Sequence, residues 1–189
     1  MSREPGVLEL AWRRYQRELS HQPLRTKALT SCALAGLSDL AAQKVHAQGS
    51  IRWSRTGLMA LYGLLWTGPA GHYWQNFVQK LFAGKKDPNS IAAKVILENL
   101  TFSPLMNSMF MAYVSIVIEG NSAQKTRQNL QASFAAVQAQ AWKLWPLVSI
   151  INYTYVPLRF RVLVMNVVAL FWSTFLNLRS RSVAAKQLT

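Results

Sequence analysis

The candidate functional residues of this sequence are polar side chains that lie inside long uncharged stretches. Asp39 and Gln43 are four residues apart, as are His72 and Asn76, so each pair shares one face of a helix. In lipid such groups are costly unless they bond to a neighbouring helix or face water. Both readings, a join between helices and a hydrated passage, stay open. The candidate residues for a pore or polar interior are Asp39, Gln43, His72, Asn76, Glu98, Asn107, Arg159, Arg161 and Asn166.

Groups that would support catalysis or metal binding are scarce. The histidines at positions 21, 46 and 72 lie far apart, and Cys32 is the one cysteine of the chain. We find no nucleophile paired with a base, no phosphate-binding loop and no metal-ligand spacing. The sequence therefore predicts a protein that is not an enzyme and that has no cofactor and no metal.

The charge of the chain indicates an anionic surface as its neighbour. There are 21 Lys and Arg residues against 7 Asp and Glu, which gives a net charge of +14. However, 51% of the residues are hydrophobic, 15% are charged, and the cations cluster between uncharged runs such as 56–79 and 99–118. This pattern favours a lipid bilayer over nucleic acid, whose binders spread cations over one polar face. The mean hydropathy of +0.09 keeps a soluble helical bundle as an alternative.

The uncharged runs predict an all-α fold, an integral membrane bundle that forms a single domain over residues 1–189. A spanning helix needs about 20 mostly apolar residues. The four transmembrane helices are expected at about 28–45, 56–82, 91–118 and 162–178.

Two other segments and two prolines complete the predicted bundle. Residues 124–142 have helical spacing but many glutamines, so we expect a short interfacial amphipathic helix there. The N-terminal segment 1–27 contains a second amphipathic pattern over 8–19. Pro69 and Pro104 lie within predicted spans and are expected to kink them, because proline removes a helical hydrogen bond.

An aromatic segment precedes the fourth predicted span. Trp142, Trp145 and Tyr153 suit the headgroup level of a bilayer, where one end of the ring meets oil and the other meets water. Pro146 and Pro157 are expected to end helices, so that the chain dips and turns before it enters the span.

Two arginines close that segment and are candidates to neutralise the acids. We expect Asp39 and Glu98 to face inward, and at least one of them to approach Arg159 or Arg161. The neighbouring Gln43 favours a lumen position for Asp39, whereas the aromatic surroundings of Glu98 favour a packed position.

Three motifs resemble the signature of the Mpv–PMP family. They are W-x-x-W-P over 142–146, N-Y-x-Y-V-P-x-x-x-R over 152–161 and N-x-x-A-x-x-W over 166–172. The resemblance covers nearly the whole chain, and segments such as GPAGHYW and NYTYVPLRFRV are most similar to the plant peroxisomal branch. The family-motif residues are Trp142, Trp145, Pro146, Asn152, Tyr153, Val156, Pro157, Arg161 and Trp172.

The resemblance implies a multi-pass protein of the peroxisomal membrane, with the mitochondrial inner membrane as the alternative. It implies a pore-forming channel for small solutes, or else a non-conducting homeostasis or scaffold factor. Because four helices leave little room for a lumen, a homo-oligomer is a further expectation. The expected targeting segment contains Tyr15, Leu19, Pro23 and Lys27. We expect a peroxisomal membrane import receptor to bind it.

Overall fold

The computed structural model describes residues 6–46 and 50–172, and nearly all of them are helical. No strand occurs within those two ranges, so the prediction of an all-α fold is confirmed. The end of the fourth predicted span, 173–178, lies outside the described residues.

Eight α-helices follow one another along the described chain. They are α1 (Val7–His21), α2 (Pro23–His46), α3 (Trp53–Tyr62), α4 (Gly68–Leu81), α5 (Pro88–Leu97), α6 (Ser103–Tyr113), α7 (Ala123–Tyr155) and α8, which covers 161–172. Three π-helical turns lie at Gly63–Thr67, Glu98–Phe102 and Val114–Ile118, and a 3₁₀ turn lies at Leu158–Phe160.

Side-chain caps start two of these helices. The carboxylate of Asp87 accepts a hydrogen bond from the Ser90 amide at 3.0 Å, and Pro88 occupies the first turn, where its missing N–H costs nothing. The hydrogen bonds from Ser90 hold the pKa of Asp87 below its ordinary value, so this residue is an anion at neutral pH. The Ser122 hydroxyl accepts from the Lys125 amide at 3.3 Å and starts α7 in the same way.

One stretch within 6–46 and 50–172 has both the length and the hydropathy of a membrane span. Pro88–Ile118 runs for 31 residues through α5 and α6, and its most apolar 18-residue window has a mean hydropathy of 1.4. Only 6% of its most apolar window is buried inside the molecule, whereas the core helix of a soluble protein would be mostly buried. This stretch agrees with the predicted third span. The other predicted spans are helical where they are described, but shorter or less apolar.

The π-helical turns lie directly before the two prolines that were expected to kink helices. Pro69 and Pro104 are each the second residue after such a turn. In an α-helix the proline ring would clash with the carbonyl four residues earlier. The wider turn moves that carbonyl away from the ring, and the chain passes both prolines without a break in its helical path.

Pro146, in contrast, does not end a helix, and this prediction is wrong. It lies inside α7, which continues for 33 residues from Ala123 to Tyr155. The predicted separate helix at 124–142 is therefore the first part of one helix about 50 Å long at the usual rise. A proline removes a single hydrogen bond, and packing along the rest of a long helix outweighs that loss. Pro157 does follow the end of α7, two residues after Tyr155.

The pattern of burial is the inverse of that in a soluble protein. Among the described residues, 16 polar or charged side chains are buried, against 9 hydrophobic ones. Large hydrophobic residues such as Leu65, Leu100, Leu147 and Phe171 are instead more than half exposed. Water would penalise this arrangement, whereas lipid rewards it, because apolar side chains lose nothing by facing hydrocarbon.

The chain divides into two compact units. The first contains residues up to 75 together with those from 162 onward, and the second contains 76–161. In the first unit, two glycines allow close packing against α2. A methyl group at Gly68 would lie 2.6 Å from the Ala28 Cα, and one at Gly63 would overlap the Ser31 carbonyl. Small residues thus bring two backbones together on both sides of the Gly63–Thr67 turn, as is usual for helices in lipid.

Candidate functional site

The first unit holds Asp39 in a complete set of hydrogen bonds. Asp39 is 2% exposed, and its Oδ2 accepts from Gln43 Nε2 at 2.7 Å and from Thr56 Oγ1 at 2.8 Å. Its Oδ1 accepts from Arg55 Nε at 2.8 Å, which forms an ion pair. Gln43 Oε1 also accepts a hydrogen bond from the Arg52 backbone N–H at 2.8 Å, so the network joins the end of α2 to the start of α3.

This network alters the expectation for Asp39. The cation that pairs with it is Arg55, three residues into α3, and neither Arg159 nor Arg161. Arg55 directly precedes the predicted second span, 56–82, and was not among the candidate residues. With three donors on its carboxylate, Asp39 acts as a structural join and has no need of water.

Other predicted polar residues of the first unit also bond between helices. Lys27 Nζ lies 3.3 Å from His72 Nδ1, which joins α2 to α4. The amide of Asn166 donates to the Ser31 hydroxyl at 2.6 Å, which joins α8 to α2. Lys27 is 3% exposed, so a cation that was assigned to the targeting segment lies inside the folded unit.

The second unit buries a different group of polar residues, which we call the Glu98 cluster. It consists of Lys94, Glu98, Ser149, Asn152, Tyr153 and Arg161, each at most 3% exposed. Lys94 lies on α5, and Glu98, four residues later, begins the Glu98–Phe102 turn. Ser149, Asn152 and Tyr153 share one face of α7.

The two cations of the cluster lie near the same aromatic ring, that of Tyr153. Arg161 Cζ is 5.1 Å from the centroid of Tyr153, and Lys94 Nζ is 6.0 Å from it. Lys94 Nζ also donates to the backbone carbonyl of Lys85. Arg161 donates to the carbonyl of Val156 at 3.2 Å. These cation–π contacts help to offset the cost of removing the two charges from water.

Glu98 has fewer partners than Asp39. The hydroxyls of Tyr153 and Ser149 and the guanidinium of Arg161 are its neighbours, but Glu98 Oε2 and Ser149 Oγ have no hydrogen bond of good geometry. The amide oxygen and nitrogen of Asn152 are likewise buried without a bond. Arg161 is thus near an acid, as expected, although the two do not form a contact ion pair. Arg159 is exposed and stacks on Phe160 at 4.7 Å.

A ladder of hydrogen bonds joins α6 and its flanking turns to α7. The amide of Asn107 donates to Gln138 Oε1 at 2.8 Å, and Gln138 donates to Ser103 Oγ at 3.3 Å. Farther along, the Thr126 hydroxyl is 2.9 Å from Ser115 Oγ. The amphipathic pattern of 124–142 predicts that its glutamines face water. Gln138 is instead buried, at 4% exposure, and was not among the candidate interior residues. Asn76, another predicted interior residue, is half-buried on α4.

Trp142 fills a gap in the backbone that Pro104 creates. In the π-helical register, the Ser103 amide bonds to the Glu98 carbonyl. The next amide, at Pro104, would bond to the Asn99 carbonyl, but proline has no N–H. The indole nitrogen of Trp142 donates to that same carbonyl at 3.0 Å. A residue of the W-x-x-W-P motif therefore replaces the hydrogen bond that the proline removes.

The remaining motif and targeting residues have simpler positions. Trp145 and Pro146 are half-buried on α7, Val156 and Pro157 lie at its end, and Trp172 is on α8. Leu19 of the targeting segment is 1% exposed and packs into the first unit. Within 6–46 and 50–172, no group of three or more His, Cys, Asp or Glu residues could hold a metal ion.

The bond between Trp142 and Asn99 predicts a specific double-mutant result. Trp142→Phe should lower the free energy of unfolding in detergent by about 1–3 kcal/mol, because it leaves a buried carbonyl unbonded. In a Pro104→Ala background the same change should cost less than about 1 kcal/mol, since an alanine supplies the missing amide. Thermal unfolding followed by circular dichroism measures both costs, with the exposed Trp53→Phe as the control. Equal costs in the two backgrounds would contradict the assignment.

Comparison with known proteins agrees with the motifs. Residues 116–177 match the sequence profile of the Mpv17 / PMP22 family. The chain is 44% identical over 170 residues to peroxisomal membrane protein PMP22 of Arabidopsis thaliana, an alignment that covers 90% of each chain. It is 34% identical over 170 residues to Protein sym1 of Aspergillus oryzae, which covers 88% of this chain and 96% of that relative.

A third relative belongs to a different organelle. The chain is 29% identical over 175 residues to the mitochondrial inner membrane protein Mpv17 of Rattus norvegicus, with 91% of this chain and 98% of the relative aligned. No solved structure matches the chain. The identity to the plant relative, over nine-tenths of both sequences, shows that this chain belongs to the Mpv17 / PMP22 family of membrane proteins.

Proposed function

We propose that this protein forms a pore for small water-soluble metabolites across the peroxisomal membrane, with four transmembrane helices per chain. The observation that carries the proposal is the set of unbonded polar atoms in the Glu98 cluster. Glu98, Ser149 and Asn152 are each at most 3% exposed and together hold four side-chain N or O atoms without a hydrogen bond. Such atoms are costly in a dry interior, so water is their natural partner.

A hydrated interior in a membrane protein is compatible with the passage of polar solutes. Because four helices leave little room for a lumen, we propose that several copies assemble around or beside the conducting path. The lumen would be lined by the Glu98 cluster, and the Asp39 network would keep α2 and α3 joined while solutes pass.

The alternative is a non-conducting scaffold or homeostasis factor. The completeness of the Asp39 network favours this alternative for the first unit, because every hydrogen bond there has a structural purpose. The two functions differ in one measurable property, which is the conductance of the purified protein in a lipid bilayer.

Reconstitution in planar bilayers tests the pore and assigns its lining. The wild-type protein should conduct, and Glu98→Gln should shift its permeability ratio towards anions by about two- to tenfold. That shift is the effect of roughly 0.4–1.4 kcal/mol of lost attraction for cations.

The matched control is Asp39→Asn, which removes the other acid that is buried within residues 6–46 and 50–172. It should leave the permeability ratio unchanged and lower the free energy of unfolding by about 1–3 kcal/mol. If the folded wild-type protein carried no current, the scaffold would replace the pore. If Asp39→Asn changed selectivity and Glu98→Gln did not, the lining residues would be wrong.

We also propose the peroxisomal membrane as the location, with residues 1–27 as the address. The name of the plant relative, a peroxisomal membrane protein, supports this choice, whereas that of the rat relative supports the mitochondrial alternative. Leu19 and Lys27 are buried at 1% and 3% exposure, so an import receptor would read the segment before α1 packs on α2.

Fluorescence imaging of tagged chains tests the location. The full-length protein should coincide with a peroxisomal marker, and deletion of residues 1–27 should abolish this coincidence. A full-length protein that followed a mitochondrial marker would reverse the choice. A deleted form that still reached peroxisomes would remove the role of the segment.

A further inference from the structure

The Glu98 cluster contains more positive charge than its own acid neutralises. Lys94 and Arg161 are 1% and 2% exposed. The positive charge of Arg161 acts on Lys94. Glu98 is the buried acid beside them. Asp87 also acts on Lys94, but it is exposed to solvent, which screens its charge. The cluster therefore buries two cations with one carboxylate.

Hydrogen-bond donors are also in excess. Lys94 donates one hydrogen bond to the Lys85 carbonyl. Arg161 donates to the Val156 carbonyl and, at 3.4 Å, to Gln79 Oε1. An ammonium and a guanidinium carry more N–H donors than these bonds use. Both cations thus keep donors that the surrounding side chains do not satisfy.

The neutral residues of the cluster add unused groups of the same kind. Asn152 is 0% exposed, and its Nδ2 donor makes no hydrogen bond. Ser149, one turn earlier on the same face of α7, has a buried hydroxyl without a bond of good geometry. An acceptor that carries negative charge would meet the needs of the two cations, the amide and the hydroxyl together.

We infer that the Glu98 cluster binds a small oxyanion, a phosphate or a carboxylate, between Lys94 and Arg161. Arg161 presents a planar fork of donors suited to two oxygens, and Lys94, whose Nζ also lies near the Tyr153 ring, supplies a compact charge. Asn152 and Ser149 complete the set as neutral donors. Glu98 repels the anion, and this weakens the site enough for the ligand to leave.

The inference names a ligand for the cluster that the proposed pore would use, but binding does not require conduction. The test therefore uses purified full-length protein in detergent, without a bilayer or a potential. If binding failed while the reconstituted protein conducted, only the anion site would be lost. If conduction failed while binding persisted, only the pore would be lost.

The probe is inorganic phosphate, and the readout is the thermal midpoint of unfolding. Sodium phosphate should raise the midpoint of the wild-type protein in a saturable manner, relative to sodium chloride at equal ionic strength, because a ligand that binds only the folded state stabilises it. Lys94→Met should weaken the apparent affinity for phosphate at least tenfold. The matched control is Lys143→Met, an exposed lysine of the same unit, which should keep the wild-type response.

Folding of the Lys94 variant is checked without phosphate. We expect its midpoint to be equal to or above that of the wild type, because the variant removes a buried charge that lacks a full partner. A lower midpoint in chloride, together with a phosphate response equal to the wild-type response, would overturn the inference and leave Lys94 as a structural residue.

A second experiment distinguishes a free phosphate from a lipid phosphate headgroup as the ligand. Mixed micelles that contain phosphatidic acid replace inorganic phosphate, and micelles of phosphatidylcholine serve as the control. Stabilisation by phosphatidic acid alone, lost in Lys94→Met, would support the site with a lipid headgroup as its ligand. Stabilisation by neither probe, or an equal gain in Lys94→Met, would overturn the oxyanion site.

Discussion

Hydrogen bonding between buried side chains holds each helical unit together. In lipid the hydrophobic effect does not drive helices against one another, so packing and polar contacts must do so. Asp39 joins α2 to α3, Asn166 joins α8 to α2, and Gln138 joins α7 to α6. The apolar side chains then remain for the outer surface, where they face hydrocarbon. Not every buried polar atom is bonded: besides the atoms of Glu98, Ser149 and Asn152, those without a hydrogen bond include Trp66 Nε1, Gln75 Oε1 and Asn99 Oδ1.

The prolines show how the backbone adapts to this demand. A proline in a helix leaves one carbonyl without its N–H partner, and in lipid that carbonyl has no water to bond. The Glu98–Phe102 turn moves the unbonded carbonyl to Asn99, where the Trp142 indole reaches it at 3.0 Å. The turn also begins at Glu98 itself. The same local widening therefore accommodates Pro104 and places the acid of the cluster against α7.

The sequence predicted the helical class, the third span and the family, because these follow from composition, long uncharged runs and motifs. It also identified Asp39, Glu98, Asn152 and Arg161 as residues of interest. Their partners were harder to predict, since a polar residue on a helix face has several neighbours within reach. Arg55 was not considered for Asp39, and Lys94 was not considered for Glu98. Pro146 was misjudged because local propensity opposes a helix that long-range packing preserves, and Gln138 because polarity was equated with exposure.

We propose that the second unit has a polar, hydrated interior and an apolar outer surface. Accessibility of single cysteines to a charged methanethiosulfonate reagent tests it directly, because thiols react as thiolates in water and not in hydrocarbon. In a Cys32→Ala background, Ser149→Cys places the thiol at a position that is 1% exposed, and Ile150→Cys places it at one that is 44% exposed. In the membrane-embedded protein, we expect the reagent to label the buried position 149 and to spare the exposed position 150. Labelling at 150 with none at 149 would contradict the account.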